Sequence, residues 1–166
     1  MQDRIERVYR RLEKDGWKVV RQGASPAGLP AHLTHRYHDL PAEWAGFAGR
    51  IRVCANADET TWFLCANDFE EQSGDAFRWD ELERISLQAA LDDKDAAWQS
   101  AIESFWNDHL PICLSVADGY GYYAIRMSDG AVVQGSEPEF EETAEAAPSF
   151  AQFLEMICAG KIVLGG

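Results

Sequence analysis

The stretch from His109 to Glu145, HLPICLSVADGYGYYAIRMSDGAVVQGSEPEFEETAE, constrains the fold of this chain more than any other. Ile112, Leu114 and Val116 alternate with Cys113, Ser115 and Ala117, a period of two that predicts a strand. Asp118-Gly119 and Asp129-Gly130 are turn dipeptides placed where the chain must reverse. Three short strands joined by tight turns are therefore expected. The nine residues that follow hold five glutamates (Glu137, Glu139, Glu141, Glu142 and Glu145) and no lysine or arginine. A segment of that kind adds nothing to a core. It is either solvated surface or a surface made for a cationic partner.

The rest of the chain supplies helices. Asp3 is placed as an N-cap with Glu6 as its capping-box partner, and Ile5, Val8, Tyr9 and Leu12 form a stripe that ends at Gly16. Trp17 to Val20 predicts a strand, followed by a loop through Gly23, Pro26, Gly28 and Pro30. Pro41 suits the start of a short helix that stops near Gly49. Ile51 to Ala55 and Thr60 to Ala66 read as a hairpin about a turn at Asn56 to Glu59, and residues 67–79 as irregular. Asp80 with Glu83 repeats the capping box for a helix to about Ala90. After the charged break at Asp92 to Asp95, the stripe Trp98, Ala101, Ile102 and Phe105 predicts another helix. Ser149 with Gln152 caps a last helix carrying Phe150, Phe153, Leu154, Ile157 and Cys158, and Gly160 ends it. Strands and helices fall in separate blocks. The expected class is α+β, a single domain over residues 1–166 with a mostly antiparallel sheet and flanking helices.

At 166 residues, 46% of them apolar, the chain has material for a real core. No run of 18 apolar residues spans a membrane, and the charged amino terminus carries no signal-peptide core, so a cytoplasmic location is expected. Cys54, Cys65, Cys113 and Cys158 are widely spaced in apolar segments and are expected as reduced, buried thiols, a disulfide between strands being the alternative. Net charge is −13, unevenly spread. Residues 1–80 hold eleven basic and thirteen acidic groups, net −2, whereas residues 81–166 hold four and fifteen, net −11. Phosphate neutralisation needs clustered cations, so direct nucleic-acid binding is not expected. The first helix carries the main positive surface (Arg4, Arg7, Arg10, Arg11 and Lys14), expected as a solvated outer face.

Motifs for catalysis are absent: no nucleophile elbow, no phosphate-binding glycine loop, no H-E-x-x-H and no dinucleotide fingerprint. No enzyme activity and no cofactor are expected. His32, His35 and His38, with Asp39 beside them, have the right side chains for zinc. Their i, i+3, i+6 spacing would spread them over too wide an arc, so a surface loop and no metal are expected. His109 is placed at a helix C-terminus, where a partly charged imidazole suits the dipole.

Leu40-Pro41 followed by Trp44 and Phe47, the Leu110-Pro111-Ile112 strand, the Asp118-Gly119-Tyr120-Gly121 turn, the Gly130-x-Val132 turn and the Ser149-Phe150-x-x-Phe153-Leu154 helix occur in that order. Together they resemble the SUKH superfamily, mostly bacterial immunity proteins and including a eukaryotic cell-wall synthesis regulator. The resemblance covers about residues 38–158, leaving residues 1–37 as an addition. Ala48-Gly49-Arg50 stands where the family often has an Asn-Gly-Gly-like stretch. It implies an α+β fold and neutralisation of a toxin, and it supplies no catalytic residues. An acidic surface suits the basic cleft of a nuclease-type toxin, with aromatic side chains as anchors. The expected partner surface comprises Asp118, Tyr120, Tyr122, Glu137, Glu139, Phe140, Glu141, Glu142 and Glu145. One or two of the aromatics can instead be core, since Tyr122 and Tyr123 point to opposite sheet faces. The alternative function is a structural or regulatory protein-interaction domain with no toxin partner.

Overall fold

A computed structural model describes residues 1–70 and 77–164. The fold is α+β, with six α-helices and a seven-stranded sheet among the described residues. Its strands are β1 (Lys18–Arg21), β2 (Ile51–Ala55), β3 (Thr61–Phe63), β4 (His109–Ser115), β5 (Gly121–Arg126), β6 (Val132–Ser136) and β7 (Ala144–Ala147). They lie side by side in chain order, every neighbouring pair antiparallel. The helices are α1 (Gln2–Lys14), α2 (Ala31–Arg36), α3 (Ala42–Gly49), α4 (Glu81–Asp92), α5 (Ala96–Asn107) and α6 (Phe150–Cys158).

Helices cover both faces of the sheet, and cross-strand partners show which residues each layer meets. Phe63, Cys113 and Tyr123 stand opposite one another, and Phe153 of α6 touches the rings of both Phe63 and Tyr123. Phe47 of α3 packs between Phe63 and Tyr9 of α1, so α1, α3 and α6 form one layer. The alternate row, Trp62, Leu114 and Tyr122, faces the other way, where Tyr122 meets Trp106 of α5. Residues 109–114 of β4 are accordingly all buried. The sequence alternation predicted a strand with one apolar face; a covered sheet buries both. Tyr37, just after α2, donates its hydroxyl to the Trp106 carbonyl (2.7 Å), while Arg36 pairs with Glu83 of α4 (2.7 Å).

Several boundaries differ from expectation. Helix α1 starts at Gln2, so Asp3 sits in its first turn rather than at the cap. The first strand is Lys18–Arg21, and the expected strand Thr60 to Ala66 is only Thr61–Phe63 before a 3-10 turn at Ala66–Phe69. Asp68 ends that strand by accepting the Cys65 N–H at 2.7 Å. Of the expected irregular stretch 67–79, residues 71–76 lie outside the described residues. The Asp80/Glu83 capping box does not form, because Arg36 takes Glu83 and Arg78 draws Asp80. In α5 the buried positions are Ile102 and Trp106, whereas Trp98 and Ala101 are exposed. Trp98 stands at the entry turn, with Asp95 accepting its N–H at 2.9 Å. The acidic segment runs into a fourth strand of the meander, β7, where three were expected. The last helix forms as predicted: Ser149 Oγ accepts the Gln152 N–H at 3.1 Å, and Phe150, Phe153, Leu154 and Ile157 are buried.

Where β5 and β6 pair, Tyr122 stands opposite Gly135 and its ring lies over the glycine. A Cβ built at Gly135 falls 2.7 Å from the tyrosine ring, too close for any side chain without displacing it. Gly135→Ala is therefore expected to cost about 1–3 kcal/mol by overpacking. Denaturant unfolding checks this, and a stability equal to wild type would show that the ring can move freely.

Candidate interaction surface at the acidic end of the sheet

In an antiparallel meander every second connection falls at the same end. Residues 56–60, 116–120 and 137–143 join β2 to β3, β4 to β5 and β6 to β7, so the three loops share one rim of the sheet. Backbone bonds hold them together. Val116 N–H donates to Thr60 O (2.8 Å), and Glu137 N–H donates to Tyr120 O (2.9 Å). Within the first loop, Asn56 Oδ1 accepts the N–H groups of Thr60 (2.8 Å) and Thr61 (3.1 Å). In the second, Gly119 takes φ +78°, and the Glu137 side chain lies where a Cβ at Gly119 would point.

These loops contain no lysine or arginine. Asp58, Glu59, Asp118, Glu137, Glu139 and Glu142 are all exposed and form no ion pair among the described residues. Most arginines of the first helix are paired with carboxylates away from the rim. Arg4 reaches Glu43 (2.8 Å) and Glu155 (3.2 Å), Arg7 also reaches Glu155, and Arg11 pairs with Asp15. The positive face expected on α1 is thereby largely neutralised, and of the remaining cations Arg52 lines a pocket with Glu59 without pairing to it.

The structure sorts the expected surface residues. Asp118, Glu137, Glu139 and Glu142 lie on the rim, and Tyr120 beside them is 37% exposed. Tyr122 and Phe140 do not belong to an exposed surface: each is 4% exposed, and both are core. Tyr122 donates its hydroxyl to the Phe140 carbonyl and packs on Trp106. Phe140 thus fastens the β6–β7 loop to the α5 layer instead of anchoring a partner. Glu141 points inward as well. It is half-buried, accepts the Ser86 hydroxyl at 3.0 Å, and burial pushes its carboxyl up from the ordinary value. Glu145 stands on β7 with Arg126 at 3.5 Å, away from the rim.

Sequence reasoning missed Asp58 and Glu59, which reach the rim only because β2 and β3 join the same meander. It also missed Trp62 and Phe77. Trp62 and Phe77 are T-shaped at 5.7 Å, and Phe77 and Tyr120 at 5.3 Å, a string of three partly exposed rings beside the acidic loops. The alternation of Thr61, Trp62 and Phe63 carries a signal for Trp62, since it must face away from the buried Phe63.

Other candidates resolve differently. His32 and His35 lie on helix α2 and His38 just after it, where a loop was expected. No group of three or more His, Cys, Asp or Glu among the described residues is placed to hold a metal ion. His109 opens β4 rather than ending α5. Its Nδ1 is 2.7 Å from the Phe105 carbonyl, its ring stacks on Phe105 at 3.8 Å, and burial shifts its pKa down, against the expected partly charged imidazole. Cys54, Cys65 and Cys113 are buried free thiols whose pKa burial raises; Cys158 is free and half-buried. Among the described residues no helix is long and apolar enough to cross a membrane.

No family model, curated protein or solved structure matches the chain.

At the opposite end of the sheet, the turn between β5 and β6 holds a bidentate pair. Arg126 donates to Asp129 Oδ1 (3.0 Å) and Oδ2 (2.7 Å), and Ala131 N–H adds a third bond. These contacts hold the Asp129 carboxyl down to about 2. A depressed carboxyl stabilises the fold above its unfolded pKa of about 4, and that contribution disappears as pH falls toward about 2. Arg126→Leu is expected to move the Asp129 midpoint up toward the ordinary value in an NMR pH titration. An unmoved midpoint would assign the shift to the backbone bond alone.

Proposed function

We propose that this chain is a protein-binding immunity module that neutralises a cognate basic toxin of nuclease type, acting in the cytoplasm and without catalysis of its own. The observation that carries this reading is the rim: three loops at one end of the sheet, with six exposed carboxylates that form no ion pair among the described residues and no lysine or arginine within the loops. A nuclease cleft is cationic because its substrate is phosphate, so a surface of this sign is complementary to it and steers association. The ring string Trp62, Phe77 and Tyr120 supplies aromatic area of the kind that dominates interface energetics. The resemblance to the SUKH superfamily points the same way.

Affinity capture with the tagged chain, from cells that carry its gene, tests the proposal when followed by a titration of the captured protein's activity. The expected result is a basic protein whose cleavage of nucleic acid falls to background at one equivalent of the chain. A captured partner that is not basic, or one whose activity is unaffected at saturation, would replace toxin neutralisation by a regulatory interaction.

A further inference from the structure

Just behind the rim, on the face shared with α6, the sheet carries an open cavity of about 480 Å³. Phe153 covers Phe63 and Tyr123, and beyond its reach Thr61, Ser115, Gly121 and Ser136 form a cross-strand row of small side chains. Tyr123 and Gln134, paired in the next row, form a second side, and Glu142 stands on the lip. Gly121 keeps the floor low. The Thr61 and Ser115 hydroxyls bond to each other at 2.9 Å. By contrast the Gln134 carboxamide, the Ser136 hydroxyl and the Glu142 carboxylate have no hydrogen-bond partner within the described residues. The cavity therefore gathers acceptor atoms, one carboxylate and a tyrosine ring, and among the described residues no cation lines it.

An anionic ligand would be repelled by Glu142 and by the rim. A guanidinium group meets the opposite conditions. It has five N–H donors in a planar fork, no acceptor, a permanent charge, and favourable contact with aromatic rings. We infer that this trough receives an arginine side chain presented by the protein partner, with Glu142 compensating its charge and Gln134 and Ser136 accepting the remaining N–H groups. The inference rests on the protein-binding reading above and deepens it: the rim steers, and the trough selects.

A terminally blocked Gly-Arg-Gly peptide, followed by NMR of the intact chain, provides the test, with the citrulline peptide as an uncharged match in shape. The arginine peptide is expected to shift the amides of Gly121, Gln134 and Ser136, and the citrulline peptide to leave them unmoved. Glu142→Gln is expected to weaken binding about fivefold or more, as for a lost charge-assisted hydrogen bond. Gly121→Ala raises the floor without strain, since its Cβ would lie 3.5 Å from the Gly135 carbonyl, and should also weaken binding. Shifts confined to the rim loops, or equal binding of the citrulline peptide, would overturn the trough. A basic partner that binds wild type, Glu142→Gln and Gly121→Ala alike would overturn the trough but leave the acidic rim standing. Seating of the arginine peptide in a chain that captures no basic protein would do the reverse.

Discussion

Replacing Phe153 by alanine is expected to lower stability by about 3–5 kcal/mol, a large part of the roughly 5–15 kcal/mol that holds a domain folded. Phe153 is fully buried at the centre of the α6 layer, with ring centroids of Tyr123, Phe150 and Phe63 at 5.1, 6.2 and 6.4 Å. Truncation removes contacts with two strands and with its own helix at once. The surrounding rings are themselves fixed, Phe63 by Phe47 and Trp17, so they cannot close the cavity. The Ser149 cap and the burial of Leu154 are untouched, so the helix should persist while its docking weakens. In urea unfolding the midpoint should fall with little change in slope. Gln152→Ala, exposed on the same helix, should stay within about 0.5 kcal/mol of wild type. A loss below about 1 kcal/mol for Phe153→Ala would mean that α6 can be lifted from the sheet at small cost, contrary to its burial.

The second large effect is kinetic. Glu137, Glu139 and Glu142 are exposed, on one rim and without an ion pair among the described residues, so changing all three to glutamine removes three charges and should leave the fold intact. Against a confirmed basic partner, the association rate at low ionic strength is expected to fall about tenfold or more, with a flatter dependence on salt. Dissociation should change less, except for the share due to Glu142 in the trough. Glu141→Gln belongs to a different class. Its carboxylate bonds Ser86 inside the α4 layer, so its effect should appear in stability and in the placement of the loop. Stopped-flow association across a salt series separates these outcomes. An unchanged rate in the triple variant would reduce the acidic rim to ordinary solvated surface.

Much of the secondary structure was legible because local rules govern it. The stripe Phe150, Phe153, Leu154 and Ile157 with a serine ahead of it can do little except form a capped amphipathic helix. Ile51–Ala55 forms the strand its sequence predicts, and both Asp-Gly dipeptides turn the chain where expected. What failed locally failed by competition. Neither expected capping box forms: Arg21 takes Glu6, and an arginine 47 residues away claims Glu83.

The surface was only half legible. Strong local negative charge from Glu137 to Glu145 is a property of the chain itself, and so is the lack of any nearby cation. Which of those carboxylates reach solvent together is not. Tyr122 and Phe140 sit among acidic neighbours, and their flanking residues are the same whether they point outward or inward. The α4–α5 layer, laid over that face of the sheet, made them core and drew Glu141 in with them. Conversely Asp58 and Glu59 lie some sixty residues from Asp118, and only the strand order β2-β3-β4-β5 carries them to the same rim. The sequence by itself determined the elements, the turns and the charge, because helix periodicity, strand alternation and turn chemistry act over a few residues. The tertiary structure decided which carboxylates and rings share a surface, because burial depends on a second layer whose arrival no local pattern encodes.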